Sequence, residues 1–204
     1  MERLGFALAL AVLPLDLPAQ TLSAADIKAQ VDQKVAGLNE YQMLLNDPDP
    51  QRAMAAMRIM LDSKDPDLER MALSYGIFSP DPAVRRTALE AFLASGPALR
   101  VTVDGSGAND PKDFAYFVKS LGGTIDEKGM AFLSLLVGAF DAEQNCYLLA
   151  DTKGCVVRLS DAGQALMLWN TWWSLELGAD GHLVGTGDMR KGNTGIGISI
   201  PVTR

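Results

Sequence analysis

The chain has 204 residues, 48% of them hydrophobic, and carries 18 Lys and Arg against 25 Asp and Glu for a net charge of −7. That balance describes a globular protein able to bury a core in one ordinary domain or two small ones, and excludes a disordered chain or a multi-span membrane protein. The charge is spread evenly, 11 acids and 8 bases over residues 26–97 and 12 and 9 over 98–204, with no basic run, so nucleic acid and anionic lipid are poor partners.

The chain begins MERLGFALALAVLPLDLPAQ. Arg3 precedes an apolar run from Leu4 to Leu13, and Pro14, Asp16 and Pro18 close it ahead of the small residues Ala19, Ala24 and Ala25. That order is expected of a secretory signal over residues 1–25, cleaved between Ala19 and Ala25. The run is too short to span a bilayer, so no stable membrane span is expected after cleavage. A periplasmic or secreted protein follows as the expectation.

From Asp26 onward the pattern is helical. Ile27, Val31, Val35, Leu38, Met43 and Leu45 keep close to a 3.6-residue stripe, weakened in the middle by Gly37. Asp-Pro then recurs every sixteen residues, at Asp49-Pro50, Asp65-Pro66 and Asp81-Pro82. An Asp caps free amides at a helix start, and a Pro at the first helical position gives up an amide that has no intrahelical partner. Counted from each Asp, Ala56, Ala72 and Ala88 repeat, then Met57, Leu73 and Leu89, then Leu61, Ile77 and Leu93. Small beside large is a face on which helices stack closely.

This unit resembles the second helix of a HEAT repeat, most clearly in DPAVRRTALEAFL, where an Asp precedes VRxxA and a Leu. The resemblance covers about fifty residues and implies a short right-handed stack. It departs from the family in that a single helix, not a pair, recurs every sixteen residues. A four-helix bundle whose helices share a good cap accounts for the same pattern.

Residues 97–127 read as a connecting strand, Leu99 to Val103, a Gly-rich loop, and a capped helix ended by Gly122-Gly123. The loop DGSGANDPKD offers Asp104, Ser106 and Asp110 as oxygen ligands. Ala108 falls where a calcium ligand belongs, however, and no Glu closes the loop, so it reads as a loop ending in a helix cap. Residues 128–204 read as strands at spacings of eight to twelve residues, bounded by DTKG, SDAG, ADG and RKGN. Trp173, Leu175 and Leu177, and Ile196, Ile198, Ile200 and Val202, alternate as core-facing positions. The expected fold class is therefore α+β: a HEAT-like stack of about four helices over 26–96, the connecting segment 97–127, and an antiparallel β-meander domain over 128–204, as a small sandwich or partly open barrel.

Cys146 and Cys155 are expected to form a disulfide in an oxidising compartment. A four-residue DTKG turn would leave Cys146 well up the strand from its partner, so the bond requires a turn centred near Ala150-Asp151 or a wider loop. His182, the only histidine, follows Asp180-Gly181 and reads as a surface turn residue. One histidine rules out a zinc site with several imidazoles, no GxSxG supplies a nucleophile, and no cofactor or metal is implied. Glu127, Asp141, Glu143 and Glu176 remain as carboxylates at unknown separations.

The candidate binding residues are Trp169, Asn170 and Trp172, in LWNTWW. With Trp173 in the core, Trp172 points outward, and an outward Trp beside an Asn suits a sugar ring or a protein partner. The alternative is that Trp172 packs against the helical part. The leading expectation is an exported, non-enzymatic interaction or assembly module with a protein partner. A carbohydrate or small-ligand binder using the Trp cluster comes next, and a carboxylate-dependent hydrolase last.

Overall fold

A computed structural model describes residues 22–160, 163–189 and 193–202. Most of the expected signal sequence and parts of the SDAG and RKGN turns lie outside those residues. The chain forms two compact bodies, one up to Asn39 and one from Glu40 onward. Helix α1, Ala24–Leu45, crosses that limit. Its start is fixed by a reciprocal cap: the Asp26 amide donates to Ser23 Oγ, and the Ser23 amide and hydroxyl donate to Asp26 Oδ2. No described helix is long and apolar enough to cross a membrane.

Within the larger body, each Asp-Pro opens a helix: α2 Pro50–Leu61, α3 Pro66–Ile77 and α4 Pro82–Ala94. Asp49 accepts from the Gln51 amide, Asp65 from those of Asp67 and Leu68, and Asp81 from that of Ala83. The register extends one step further back. The amides of Asp49, Asp65 and Asp81 donate to side-chain oxygens of Asp47, Ser63 and Ser79, so each turn carries at least two locking bonds.

The repeated positions behave as stacking faces. Ala72, Leu73, Ile77, Ala88, Leu89 and Leu93 are buried, as is Met57, whereas Ala56 and Leu61 are only half covered at the start of the series. Gly76 is the point of closest approach, because a Cβ there would strike Ala88 Cβ and Met57 Sδ. One face of these helices closes over Leu45, Met57, Met60, Ala72 and Val84. The other joins the β-domain core through Leu73, Ile77, Leu89, Phe92 and Leu93, so the apolar interior runs without a break across Gly96-Pro97.

The rest is β1 Ala98–Asp104, α5 Pro111–Ser120, β2 Thr124–Ile125, β3 Met130–Asp141, β4 Cys146–Leu149, β5 Cys155–Ser160, β6 Gly163–Leu168, β7 Thr171–Leu177, β8 His182–Gly187 and β9 Ile196–Pro201. The meander β3 to β9 is antiparallel throughout, as the strand spacing predicts. Neither a sandwich nor an open barrel results, because β1 pairs with both ends of the series: Val101 faces Leu133 on β3 and Val103 faces Ile198 on β9. Eight strands, β1 and β3 to β9, thus close into a barrel, and β2 adds to the other side of β3. The strand that opens the segment read as a connector is therefore a wall of the barrel.

Eight strands leave an interior that side chains can fill, and Leu99, Val101, Leu133, Leu166, Trp173, Leu183, Ile198 and Ile200 are all buried. Leu177, expected inside with Trp173 and Leu175, is half-buried. Helix α5 sends Phe114 and Val118 into the same interior, and its start is capped by Asp110, which accepts from the Asp113 amide.

Cys146 and Cys155 are disulfide-bonded with Cα atoms 5.7 Å apart. The register shifts between Tyr147, which faces Val157, and Leu148, which faces Cys155, so β5 carries one extra residue. The connection keeps four residues, Ala150 to Lys153, one place earlier than a DTKG turn, closed by the Leu149 amide on Gly154 O and the Lys153 amide on Leu149 O. That earlier turn and the extra residue in β5 bring Cys155 back to Cys146.

The barrel is tied to α4 by Tyr147, whose hydroxyl donates to Glu90 O at 3.2 Å. Burial, and then the charge of Glu90, raise its phenol above the ordinary range. A phenol pKa raised in the folded state stabilises the fold fully below the unfolded value, near pH 10, and that contribution is lost as pH rises through the folded value. Denaturation midpoints measured between pH 9 and 11.5 on these grounds fall more steeply in the native chain than in Tyr147→Phe, and parallel curves would remove Tyr147 as the cause.

Candidate functional site

The three residues of LWNTWW singled out from sequence are placed by a two-residue hairpin. Trp169 and Asn170 have φ of 49° and 64°, the left-handed pair of a tight turn between Leu168 and Thr171. That turn folds Trp169 inward. Its Nε1 donates to Phe117 O at 2.9 Å, its ring meets Phe117 edge-on at 6.2 Å, and Trp173 lies 5.9 Å away, so it pins α5 to the barrel.

Asn170 is exposed at the tip. Trp172 is half-buried on the outer wall, with the Arg158 guanidinium 4.4 Å from its ring centre. Among the described residues the indoles of Trp169 and Trp172 share no ring neighbour, and the Arg158 guanidinium covers one face of Trp172.

The other residues weighed for chemistry are spread out. His182 begins β8, just past the turn over Ala179-Asp180 that the Gly181 amide closes on Gly178 O. Its ring Nδ1 is 2.9 Å from Ser199 Oγ on β9. Asp104 and Asp110 accept from the Ser106 and Asp113 amides in their own loop, and Asp141 accepts from Glu143 and Gln144 in the β3–β4 turn. These backbone and side-chain bonds hold Asp104 and Asp141 below the usual carboxylate range. Among the described residues no three His, Cys, Asp or Glu gather as a metal site would require.

Side chains gather at several surfaces of the described residues, and two of them bear on binding. The first is a cleft of about 580 Å³ between the first half of α4 and the wall formed by β5, β6 and β7. Arg85, Arg86 and Leu89 line one side, and Gln164, Ser174 and Glu176 the other, over Leu175 and Leu177. Arg85 is set in place by its Nη1, which donates to Ser79 O at 2.8 Å and Pro80 O at 3.0 Å. Arg86 pairs through Nε with Glu90 at 2.8 Å, one turn on. The same turn that locks the Asp81 cap therefore also aims an arginine.

The second is an apolar groove of about 300 Å³ lined by Tyr41, Leu44, Ala55, Ala56, Ile59 and Met60, with the Asp47–Arg52 ion pair at its rim. Ile59 is 71% exposed, an unusual position for an isoleucine on a stacked helix. Sequence reasoning missed both surfaces. The arginine pair in VRRTALE was visible, but the β6–β7 wall that makes it a cleft is distant in sequence.

Comparison of the chain with protein-family models, curated proteins and solved structures finds no match.

Proposed function

We propose that the protein is an exported binding module that takes a protein partner in the cleft between α4 and the barrel. Its helix α4, the last unit of what we read as a HEAT-like stack, forms one wall. The observation that carries this reading is the mixture in the cleft: guanidinium groups, a carboxylate, an amide and a hydroxyl arranged over leucines. Such a lining suits a peptide segment, whose main chain needs donors and acceptors and whose side chains need both charge signs and apolar cover. Export is supported by the leader-like first residues and by a disulfide of the kind that persists in oxidising compartments. A folded interior filled by side chains favours a partner held outside the barrel over a small ligand held within it.

The test places a photo-crosslinking residue at Ser174 and exposes the chain to envelope or culture-fluid protein. A defined protein adduct is expected, reduced at least tenfold by Glu176→Lys, with the near-ultraviolet signal of the tryptophans unchanged. An adduct indifferent to Glu176→Lys removes the cleft from the reading. Hydrolase activity on wall material with no adduct at all sinks the binding role.

A further inference from the structure

We infer that the segment held in the cleft carries an acidic and a basic side chain at neighbouring positions, the acid taken by Arg85 and the base by Glu176, with an apolar residue two places from the acid. The inference rests on the reading of the cleft as the seat of a protein partner and says what that partner must present.

Arg85 differs from the other arginines of its region. Arg52, Arg70 and Arg86 each meet a carboxylate, at 2.8, 3.2 and 2.8 Å. Arg85 meets none among the described residues, and what holds it is neutral: its Nη1 donates to Ser79 O and Pro80 O. One nitrogen of the guanidinium therefore fixes the group in place. The Nε–Nη2 edge, which can meet a carboxylate with two parallel bonds, has no partner among the described residues. The side chain is half-buried at the wall of the cleft, so its charge is partly desolvated and uncompensated. A guanidinium already fixed loses little freedom when it takes an anion.

Glu176 is in the matching position on the facing wall, with no cation in ion-pair distance among the described residues. The side chains of Gln164 and Ser174 beside it make no hydrogen bond there either. In the loops, by contrast, Asp104, Asp110 and Asp141 accept amides of their own turns. Arg85 and Glu176 line one cleft with opposite charges and still do not pair with each other. A ligand that satisfies both must bring both signs. An anion alone, such as a phosphate, meets Glu176 as a like charge.

The spacing orders the partner's residues. In an extended segment successive side chains point to opposite sides, and alternate ones recur at about 7 Å. A segment lying between α4 and β7 sends one side chain to the helix and the next to the strand, which sets the acid beside the base. On α4, Leu89 follows Arg85 by one turn, about 6 Å along the axis, so the residue two places from the acid falls on a leucine. Gln164 and Ser174 are left for the main-chain groups of the segment.

The test pans a random peptide display library on the full chain. The enriched peptides, made with amidated C-termini, are followed by fluorescence anisotropy and by photo-crosslinking at Ser174. They are expected to carry Asp or Glu beside Lys or Arg, and to bind Arg85→Gln about tenfold or more weakly with the near-ultraviolet tryptophan signal unchanged. Changing their acid to Lys is expected to restore binding to Arg85→Glu, which a variant damaged in folding could not show. Peptides that cross-link at Ser174 and depend on Glu176, yet bind Arg85→Gln as tightly as the native chain, overturn the inference and leave the cleft as a binding site. Enriched peptides that lack an acidic side chain and bind only through a free C-terminal carboxylate overturn it as well. If no peptide cross-links at Ser174, the inference falls together with the reading it rests on.

Discussion

Gly76→Val is expected to lower the unfolding free energy by about 3 kcal/mol, the upper end of overpacking penalties. A Cβ at Gly76 meets Ala88 Cβ and Met57 Sδ, one on each side. The methionine can swing away, but Ala88 Cβ is fixed to the α4 backbone, so the helices themselves must part. Parting them opens the buried positions Ala72, Leu73, Ala88 and Leu89 together. The diagnostic measurement is a double-mutant cycle with Ala88→Gly. Because the two side chains compete for one space, the pair should lose less than the sum of the singles by 1 kcal/mol or more, as expected for residues in contact. Additive losses would mean that the close approach is not what Gly76 serves.

Removing the disulfide is the second large effect. Cys146→Ala with Cys155→Ala is expected to destabilise the chain by about 2.5 kcal/mol on the loop-entropy estimate and to lower the melting temperature by roughly 5–10 °C. Alanine is the appropriate replacement because Cys146 is fully buried and a serine hydroxyl there would need a partner. Beyond restricting the unfolded chain, the bond holds the two strands together beside the register shift at Leu148, where ladder pairing is weakest. Thermal scans with and without reductant check this directly. Coincident curves would show that the strands hold the bulge without help.

How much of this was legible depended on whether the cause was local. The Asp-Pro caps announced α2, α3 and α4 because capping is decided within four residues. Alternation in Ile196, Ile198, Ile200 and Val202 announced a buried face, and all four are buried. The role of Leu99 to Val103 was hidden, since nothing in those residues points to Ile198 nearly a hundred positions on. Trp169 was hidden for another reason. A left-handed backbone at a tryptophan is rare, so the residue before an Asn read only as a strand end or turn, whereas the turn folds it back against Phe117. Asp47, Ser63 and Ser79 were in plain view at the same sixteen-residue spacing and could have been read as second locks on the caps.

The pairing of β1 with β9 has a consequence for how the chain is made. The strand synthesised first in the barrel finds one of its two neighbours only when the last one appears, so the ring cannot close while the C-terminus is still on its way. Until then β1 and β8 each present a bare edge, the state most open to mispairing with other chains. A chain threaded unfolded through an export channel would complete its barrel only after release, so a truncation that trims β9 is a threat to solubility before it is a threat to any binding surface.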